Sequence, residues 1–484
     1  MMLAIYARSR FVSQLKTLLA VGGATAVLGG CATFTPDGGM YPVAQEVTEA
    51  IGKDTTKIVS QTDAAEIQSR VKNLLRKPLT ADGAVQIALI NNRGLQAAYN
   101  ALGISEAAFV EASLPPNPVI GVERLATGGE LEIERRVIAN VLALLTLPAR
   151  SDIAKTQFEA ARQKAIEATF RTAASTRRAY YRAVASRQIT AFLEQARTSA
   201  DAAADLMRKL GETGAAKKLD QARASAFYAE VSNQLAEARL NVGTDREALT
   251  RMMGLWGSDI DYKLPGQLPA MPRIQTMQQV EVDAIRRRVD LIAARLELDA
   301  MAKTVGLTNA TRFISLLDAG WRGNYQRVTE DGVRQTSAPQ GFELEVQIPI
   351  FDLGEVKVRR SGEMYMQTVN RLMEKAVNVR SEARAAYLTY RGRYDITQQF
   401  QNRILPLRRT INEQAQLEYN GMLIDVFELL TTARESITTN VAAIAAKRDF
   451  FIATVDFQTA IIGGGSSSSG ESTPVVAAAG GDRD

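Results

Sequence analysis

The sequence predicts a mainly α-helical fold with a small β part, in which strand pairs and long antiparallel helical hairpins occur twice along the chain. Three observations carry this. Residues 149–210 contain no proline and are dense in Ala, Arg, Glu, Gln and Leu, all strong helix formers. Residues 342–350 alternate strictly between apolar and polar side chains, the period of a strand. Tyr180 and Tyr387 lie 207 residues apart, and at the same separation Arg177 matches Arg384, Ala179 matches Ala386, Ile189 matches Ile396 and Gly214 matches Gly421. Identities and a shared turn at one offset mark an internal duplication.

The chain divides accordingly. A leader covers 1–30, an N-terminal linker or equatorial segment 31–78, a first repeat 79–265, a second repeat 266–462, and a flexible Gly/Ser-rich tail 463–484. Segment 31–78 reads as polar and irregular, with short helices. In the first repeat, strands are expected over about 119–126 and from Leu131 towards Leu147, joined through Thr127-Gly128-Gly129. The run beginning at 149 follows. At about 1.5 Å per residue it makes a helix of roughly 90 Å, about three times the thickness of a bilayer core, and it is too polar to span one. Gly211-Glu212-Thr213-Gly214 breaks it, and a helix returns over 215–253. In the second repeat the strands are about 312–323 and 342–350, with the polar stretch 324–340 as their connection. A helix over 354–419 follows, then a break at Asn420-Gly421 and a returning helix to about 461.

On 342–350, Phe342, Leu344, Val346, Ile348 and Ile350 share one side, and Glu343, Glu345 and Gln347 the other. A half-buried soluble sheet alternates in the same way. Four strands flanked by very long helices have no evident soluble core to cover, however. In a membrane every strand edge must be paired, and the smallest barrels have about eight strands. The membrane reading therefore requires several chains.

Composition excludes much chemistry. Of 484 residues none is His, which removes Ser-His-Asp triads, HExxH zinc sites and His proton shuttles. A single Cys leaves no intrachain disulfide and no CxxC pair. Neither a GxxxxGK[ST] loop nor a GxGxxG turn occurs. The formal charge of +5 comes partly from Arg8, Arg10 and Lys16 in the leader, so it points to no nucleic-acid partner. No metal site and no enzymatic activity are expected.

The lone Cys has its own context. Positive residues 8–16 precede a short apolar run, 17–30, which ends in Leu28-Gly29-Gly30-Cys31. This resembles a lipobox. The resemblance implies cleavage before Cys31 and acylation of that residue by a diacylglycerol and an N-acyl chain, the only non-protein groups expected. Ala32 in place of Asp implies delivery to the outer membrane.

The body, over about 79–460, resembles the outer membrane factor (TolC-like) family of tripartite efflux pumps. The motifs are Leu79-Thr80 before a helix with Ala88 and Asn91-Asn92, Leu114-Pro115-Pro116-Asn117-Pro118, Tyr180-Tyr181, the Gly214 turn followed by Leu219-Asp220, and Ile348-Pro349-Ile350-Phe351. The resemblance implies a homotrimer whose four strands per chain form a 12-stranded transmembrane β-barrel, continued by a trimeric α-barrel across the periplasm. It implies a periplasmic adaptor and an inner-membrane transporter as partners, and passive conduction of substrate. A duct for type I protein secretion, or a lipid-tethered periplasmic scaffold without a pore, would share these features. The tips around Gly214 and Gly421 would be the periplasmic mouth. Asp425 and Glu428 are the candidate aperture carboxylates, the chain carrying one Asp here where a pair is familiar. Lys217, Lys218 and Asp220 are the candidate contacts at the first tip, and Gly214 and Gly421 supply its turns.

Overall fold

The computed structural model of the chain describes residues 33–465 except 129, 275, 277, 278, 331 and 332. The leader, Cys31 and most of the tail lie outside the described residues.

Segment 31–78 is less independent than a linker. Helices α1 (Met40–Ile51) and α2 (Gln61–Leu75) dock on the body. Val43 and Val47 are fully buried in a cluster with Tyr99, Leu102 and Phe158. Thr35 donates from backbone and side chain to the Glu106 carboxylate at 2.7 and 2.6 Å.

Helices α3 (Ala81–Asn91) and α4 (Arg93–Ser113) follow, then β1 (Val119–Thr127) and β2 (Glu130–Asn140), a short α5 (Val141–Leu145), and the hairpin of α6 (Leu147–Glu212) and α7 (Lys218–Met253). The second repeat has the same order. Helices α8 (Val280–Arg287) and α9 (Val289–Ala310) lead to β3 (Leu316–Glu330), β4 (Val333–Ser337) and β5 (Gln340–Gln347), and these to α10 (Glu355–Gln399), α11 (Leu405–Asn420) and α12 (Val426–Ile462). At 66 residues, α6 is about 100 Å long, with Pro148 in its first turn, where a missing N–H costs nothing.

The sequence motifs hold the middle of the helical body together, well away from the sheet: Tyr180 lies 33 residues into α6, and the whole of α4 separates Asn92 from β1. The backbone N–H of Leu79 donates to Lys263, and the Tyr180 hydroxyl donates to the Leu79 carbonyl at 3.0 Å. Asn91 donates from Nδ2 to the carbonyls of Met253 and Gly254, and Asn92 to that of Met252. These are carbonyls at the end of α7 that the helix itself cannot satisfy. Gly254 has φ +67, and a Cβ there would stand 2.8 Å from the Asn91 carbonyl oxygen, so only glycine fits. Tyr180, Tyr390, Phe450, Phe457, Leu249 and Met253 fill one core at this level. A second core, lower on the hairpins, joins Leu193, Met207, Phe227 and Leu235 to Leu430 and Ile437 of α12.

The expected helix over 354–419 is interrupted. Phe400–Ile404 form a π turn, in which the Leu405 N–H reaches back five residues to the Phe400 carbonyl. Pro406 is the physical reason. It has no N–H to give and would crowd the preceding turn, and the wider turn accommodates it. The first hairpin has no such defect.

One buried ion cluster ties α9 to α10. The guanidinium of Arg288 holds the Asp290 carboxylate through Nε at 3.0 Å and Nη2 at 2.9 Å, and Glu382 through Nη1 at 2.6 Å. The side chains of Arg288 and Asp290 are 5% and 7% exposed. Burial pushes the Asp290 carboxyl up, but the Arg288 hydrogen bonds and charge outweigh it, and the group sits below its ordinary value. A depressed carboxyl stabilises the fold above its unfolded pKa, about 3.9, and that contribution disappears as pH falls through the native value. Asp290→Asn is expected to cost towards the lower end of about 3–5 kcal/mol, since Glu382 still faces Arg288. Urea unfolding as a function of pH checks both points: the variant should lose part of the decline seen below about pH 4.

Candidate functional site: a two-faced sheet and two hairpin tips

The strands form one antiparallel sheet in the order β1-β2-β3-β4, with β5 also on β3. β4 and β5 are a single strand in effect. Gln326 pairs with Ser337 and Gly323 with Gln340 in an unbroken register, and the Asn324 N–H donates to the Pro339 carbonyl at 2.9 Å. Proline has no N–H to return, which is why the ladder lapses there. Four strands thus stand, as expected. The stretch 324–340, expected as a connection, is instead mostly strand, and the third strand starts at Leu316 rather than 312. The fourth ends at Gln347, so Ile348 and Ile350 lie beyond it.

Residues paired directly across antiparallel strands share a face. Ile120, Val137, Trp321 and Phe342 therefore stand in one row, followed on the same side by Ala139, Ala319 and Leu344. Phe342 is 94% exposed and Ile120 72%. The opposite face carries Glu123, Glu130, Glu132, Glu134, Asp318, Glu343 and Glu345, with Arg136 and Arg322. There Arg322 bridges to Glu134 at 2.9 Å, and Glu132 accepts from Asn324 and Gln326 at 2.5 and 3.0 Å. One face is fit for hydrocarbon and the other for water. Among the described residues, β1 pairs only with β2 and β5 only with β3, so both outer edges lack partners. Among the same residues no helix is long and apolar enough to cross a membrane, which says nothing of the strands.

At the other end of the molecule lie the hairpin tips. Gly214 has φ +78, and the N–H groups of Ala215 and Ala216 both reach the Leu210 carbonyl. Lys217 and Lys218 begin α7, exposed, with no ion pair among the described residues. Asp220 does not stand free: it pairs with Arg223 at 3.5 Å, and Arg223 lies over the Phe427 ring at 4.7 Å. The first tip is thereby joined to the second. At that second tip, Gly421 was expected to supply the left-handed turn residue. It does not. Its φ is −80, and the left-handed residue is Met422 at φ +58, side chain 93% exposed.

Asp425 is the N-cap of α12, its Oδ1 accepting from the Glu428 N–H at 2.9 Å. The aperture candidates are thus adjacent, and Asp425 also has a local structural duty. With Glu435 they line one shallow groove, along with Phe427, Thr431 and Thr432. Glu435, two helical turns beyond Glu428, went unnoticed in the sequence, and it bridges to Arg408 at 2.6 Å. Also missed was a stripe on α10. Met366, Met373, Val377 and Leu388 are 50–70% exposed at spacings of 7, 4 and 11 residues, whole numbers of helical turns.

The fold and site define a class: an open half-structure, with long staves at one end and an unclosed, two-faced sheet at the other. No family model matches the chain. Curated relatives are the probable efflux pump outer membrane protein TtgC and the antibiotic efflux pump outer membrane protein ArpC of Pseudomonas putida. Each is 22% identical over 479 and 477 residues respectively, covering 93% of this chain and 92% of theirs. Among solved structures, the Campylobacter jejuni CmeC outer membrane channel superposes with TM-score 0.67 at 16% identity, over 86% of this chain and 91% of that one. The Vibrio cholerae outer membrane protein VceC does so with TM-score 0.64 at 14% identity, over 82% and 96%. The chain has the fold of these outer membrane proteins, in line with the resemblance of its sequence motifs to the outer membrane factors.

Replacing Asp425 by Ala should remove the cap at a cost of about 1 kcal/mol, seen as faster amide exchange at Glu428. Asp425→Asn, which still caps, should restore protection.

Proposed function

We propose that the chain is the outer-membrane exit duct of a tripartite efflux pump, closed by self-association into a homotrimer. The observation that carries this is the sheet: four strands, opposite faces apolar and acidic, both edges unpaired. A backbone in hydrocarbon leaves no N–H or C=O unsatisfied, so such a sheet must be completed by further copies. An even number of antiparallel strands lets β1 of one copy meet the outermost strand of the next in antiparallel sense. Three copies make twelve strands, within the range of known barrels. The Met366–Leu388 stripe supports a neighbouring copy along the helices, since exposed apolar stripes of this kind mark interfaces.

The duct does no covalent chemistry. Substrate is handed over by an inner-membrane transporter through a periplasmic adaptor, and the energy is theirs. The relatives named as efflux components favour this assignment over protein secretion. The helices would lie in the periplasm with the tips as the mouth, where Asp425 and Glu428 of three copies, with Glu435 beside them, would form an acidic ring that favours cations. Lys217 and Lys218 are left available for the adaptor, while Asp220 holds Arg223 against the second tip.

The test is isolation from outer-membrane fractions. The protein should run as a detergent-resistant, heat-modifiable trimer and form channels in planar bilayers. In Asp425→Asn, cation preference and divalent block should fall severalfold with the cap intact. A lipid-tethered scaffold would show neither trimer nor conductance, and an unchanged block would remove Asp425 from the aperture.

The anchor is a separate proposal, resting on Leu28-Gly29-Gly30-Cys31. Labelled palmitate should be incorporated into the native chain and be absent from Cys31→Ser.

A further inference from the structure

The apolar face of the sheet is not uniform. Its three rows nearest the helices hold Leu317, Ala319, Trp321, Phe342, Leu344 and Val346 on β3 and β5, and no charge. Beyond the Trp321 row the same face carries four arginines. Arg135 pairs with Val122 and Gly323, Arg124 with Ile133, Arg327 with Leu131 and Thr336, and Arg334 with Thr329. Among the described side chains none on that face is acidic, whereas seven carboxylates lie on the opposite face. None of the four arginines makes an ion pair or hydrogen bond among the described residues, whereas Arg322 on the acidic face is engaged by Glu134.

The register also sets their spacing. Arg124 and Arg135 are diagonal neighbours on β1 and β2, and Arg327 and Arg334 are diagonal on β3 and β4. Diagonal neighbours stand about 7 Å apart. Two guanidinium forks at that distance can share the oxygens of one phosphate. Trp321 leans towards this zone: its indole lies over Gly323, so close that a Cβ there would be 2.7 Å from the ring. From Leu317 to Tyr325 is eight residues, about 26 Å along the strand and about 20 Å across a membrane at the usual tilt. The arginines therefore fall in the outer half of the band and at its rim. An arginine on a lipid-facing strand is strongly disfavoured at the midplane and nearly neutral at the interface, where its stem can reach the headgroups.

From this we infer that the distal apolar face of the sheet binds the phosphates of lipid headgroups in the leaflet away from the helices, through Arg124 with Arg135 and Arg327 with Arg334. The inference rests on the membrane-spanning reading above. Charge complementarity selects the occupant: four cations without partners among the described residues, in the outer half of the apolar band and at its rim, meet anionic headgroups whose acyl chains cover the rest of the band.

The experiment uses the full-length protein, purified and delipidated in neutral detergent. The thermal midpoint of the heat-resistant oligomer is followed on adding diphosphoryl lipid A, its dephosphorylated form, or inorganic phosphate. The diphosphoryl lipid should raise the midpoint by about 5 °C or more, and the other two should not. The combined variant Arg124→Gln, Arg135→Gln, Arg327→Gln, Arg334→Gln should lose most of that shift while keeping wild-type conductance. Should it fail to assemble, the two paired variants are measured separately, and the four-fold Arg→Lys variant should retain part of the shift. An equal shift with dephosphorylated lipid, or a Gln variant that keeps the full shift, would overturn the inference and leave the duct standing. A wild-type protein that neither trimerises nor conducts would overturn the membrane reading, and this inference with it.

Discussion

A sheet with two unpaired edges, wet on one side and apolar on the other, has no stable existence alone. Its backbone must find partners, and its side chains must find two different solvents. The rest of the chain is consistent with meeting that demand. Successive hairpin-connected strands keep the outer two antiparallel in the sense that lets like copies join. The contacts of Leu79, Asn91 and Tyr180 tie the end of α7 and the starts of α3 and α4 to the middle of α6, so the helices that carry the strands share one frame. In the proposed trimer the exposed stripe on α10 would supply a second contact along the axis, so that closure would not rest on strand pairing alone.

The polar side of the sheet and the polar tips share one chemical bias. Both gather carboxylates, on the strands from Glu130 to Glu134 and in the groove of Asp425, Glu428 and Glu435. Both restrain some of them with arginine: Arg322 holds Glu134, and Arg408 holds Glu435. Unmatched acid then remains at both ends of a proposed path. Such a path favours cations by field rather than by a tailored pocket, in keeping with conduction and not recognition.

Much of this was legible in the sequence, because helix-forming composition, proline placement and period-two alternation are local signals. The hairpins and the four strands came from them, while the duplication came from identities at a fixed separation of 207 residues. The errors arose where a residue had two readings. The polar run 324–340 looked like a loop because polar side chains stand on both of its faces, Asn324 and Gln326 on one and Arg327, Arg334 and Thr336 on the other, which hides the alternation. Gly421 was the natural choice for a left-handed turn, yet Met422 takes it, since the turn's hydrogen bonds from Met422 and Leu423 back to Tyr419 and Glu418 set the geometry. The π turn was hidden because helix-forming residues continue on both sides of Pro406. The sorting of the arginines to one face became visible only through cross-strand register, which no single strand reveals.

The π turn makes the two repeats mechanically unequal. The first hairpin has an unbroken stave of 66 residues, while the second is jointed between α10 and α11, above its tip. In a closed ring of copies, rigid and jointed staves alternate. Six hairpins would then have threefold and not sixfold character, and a torque applied at the mouth would be absorbed at three joints while the frame above them held its shape.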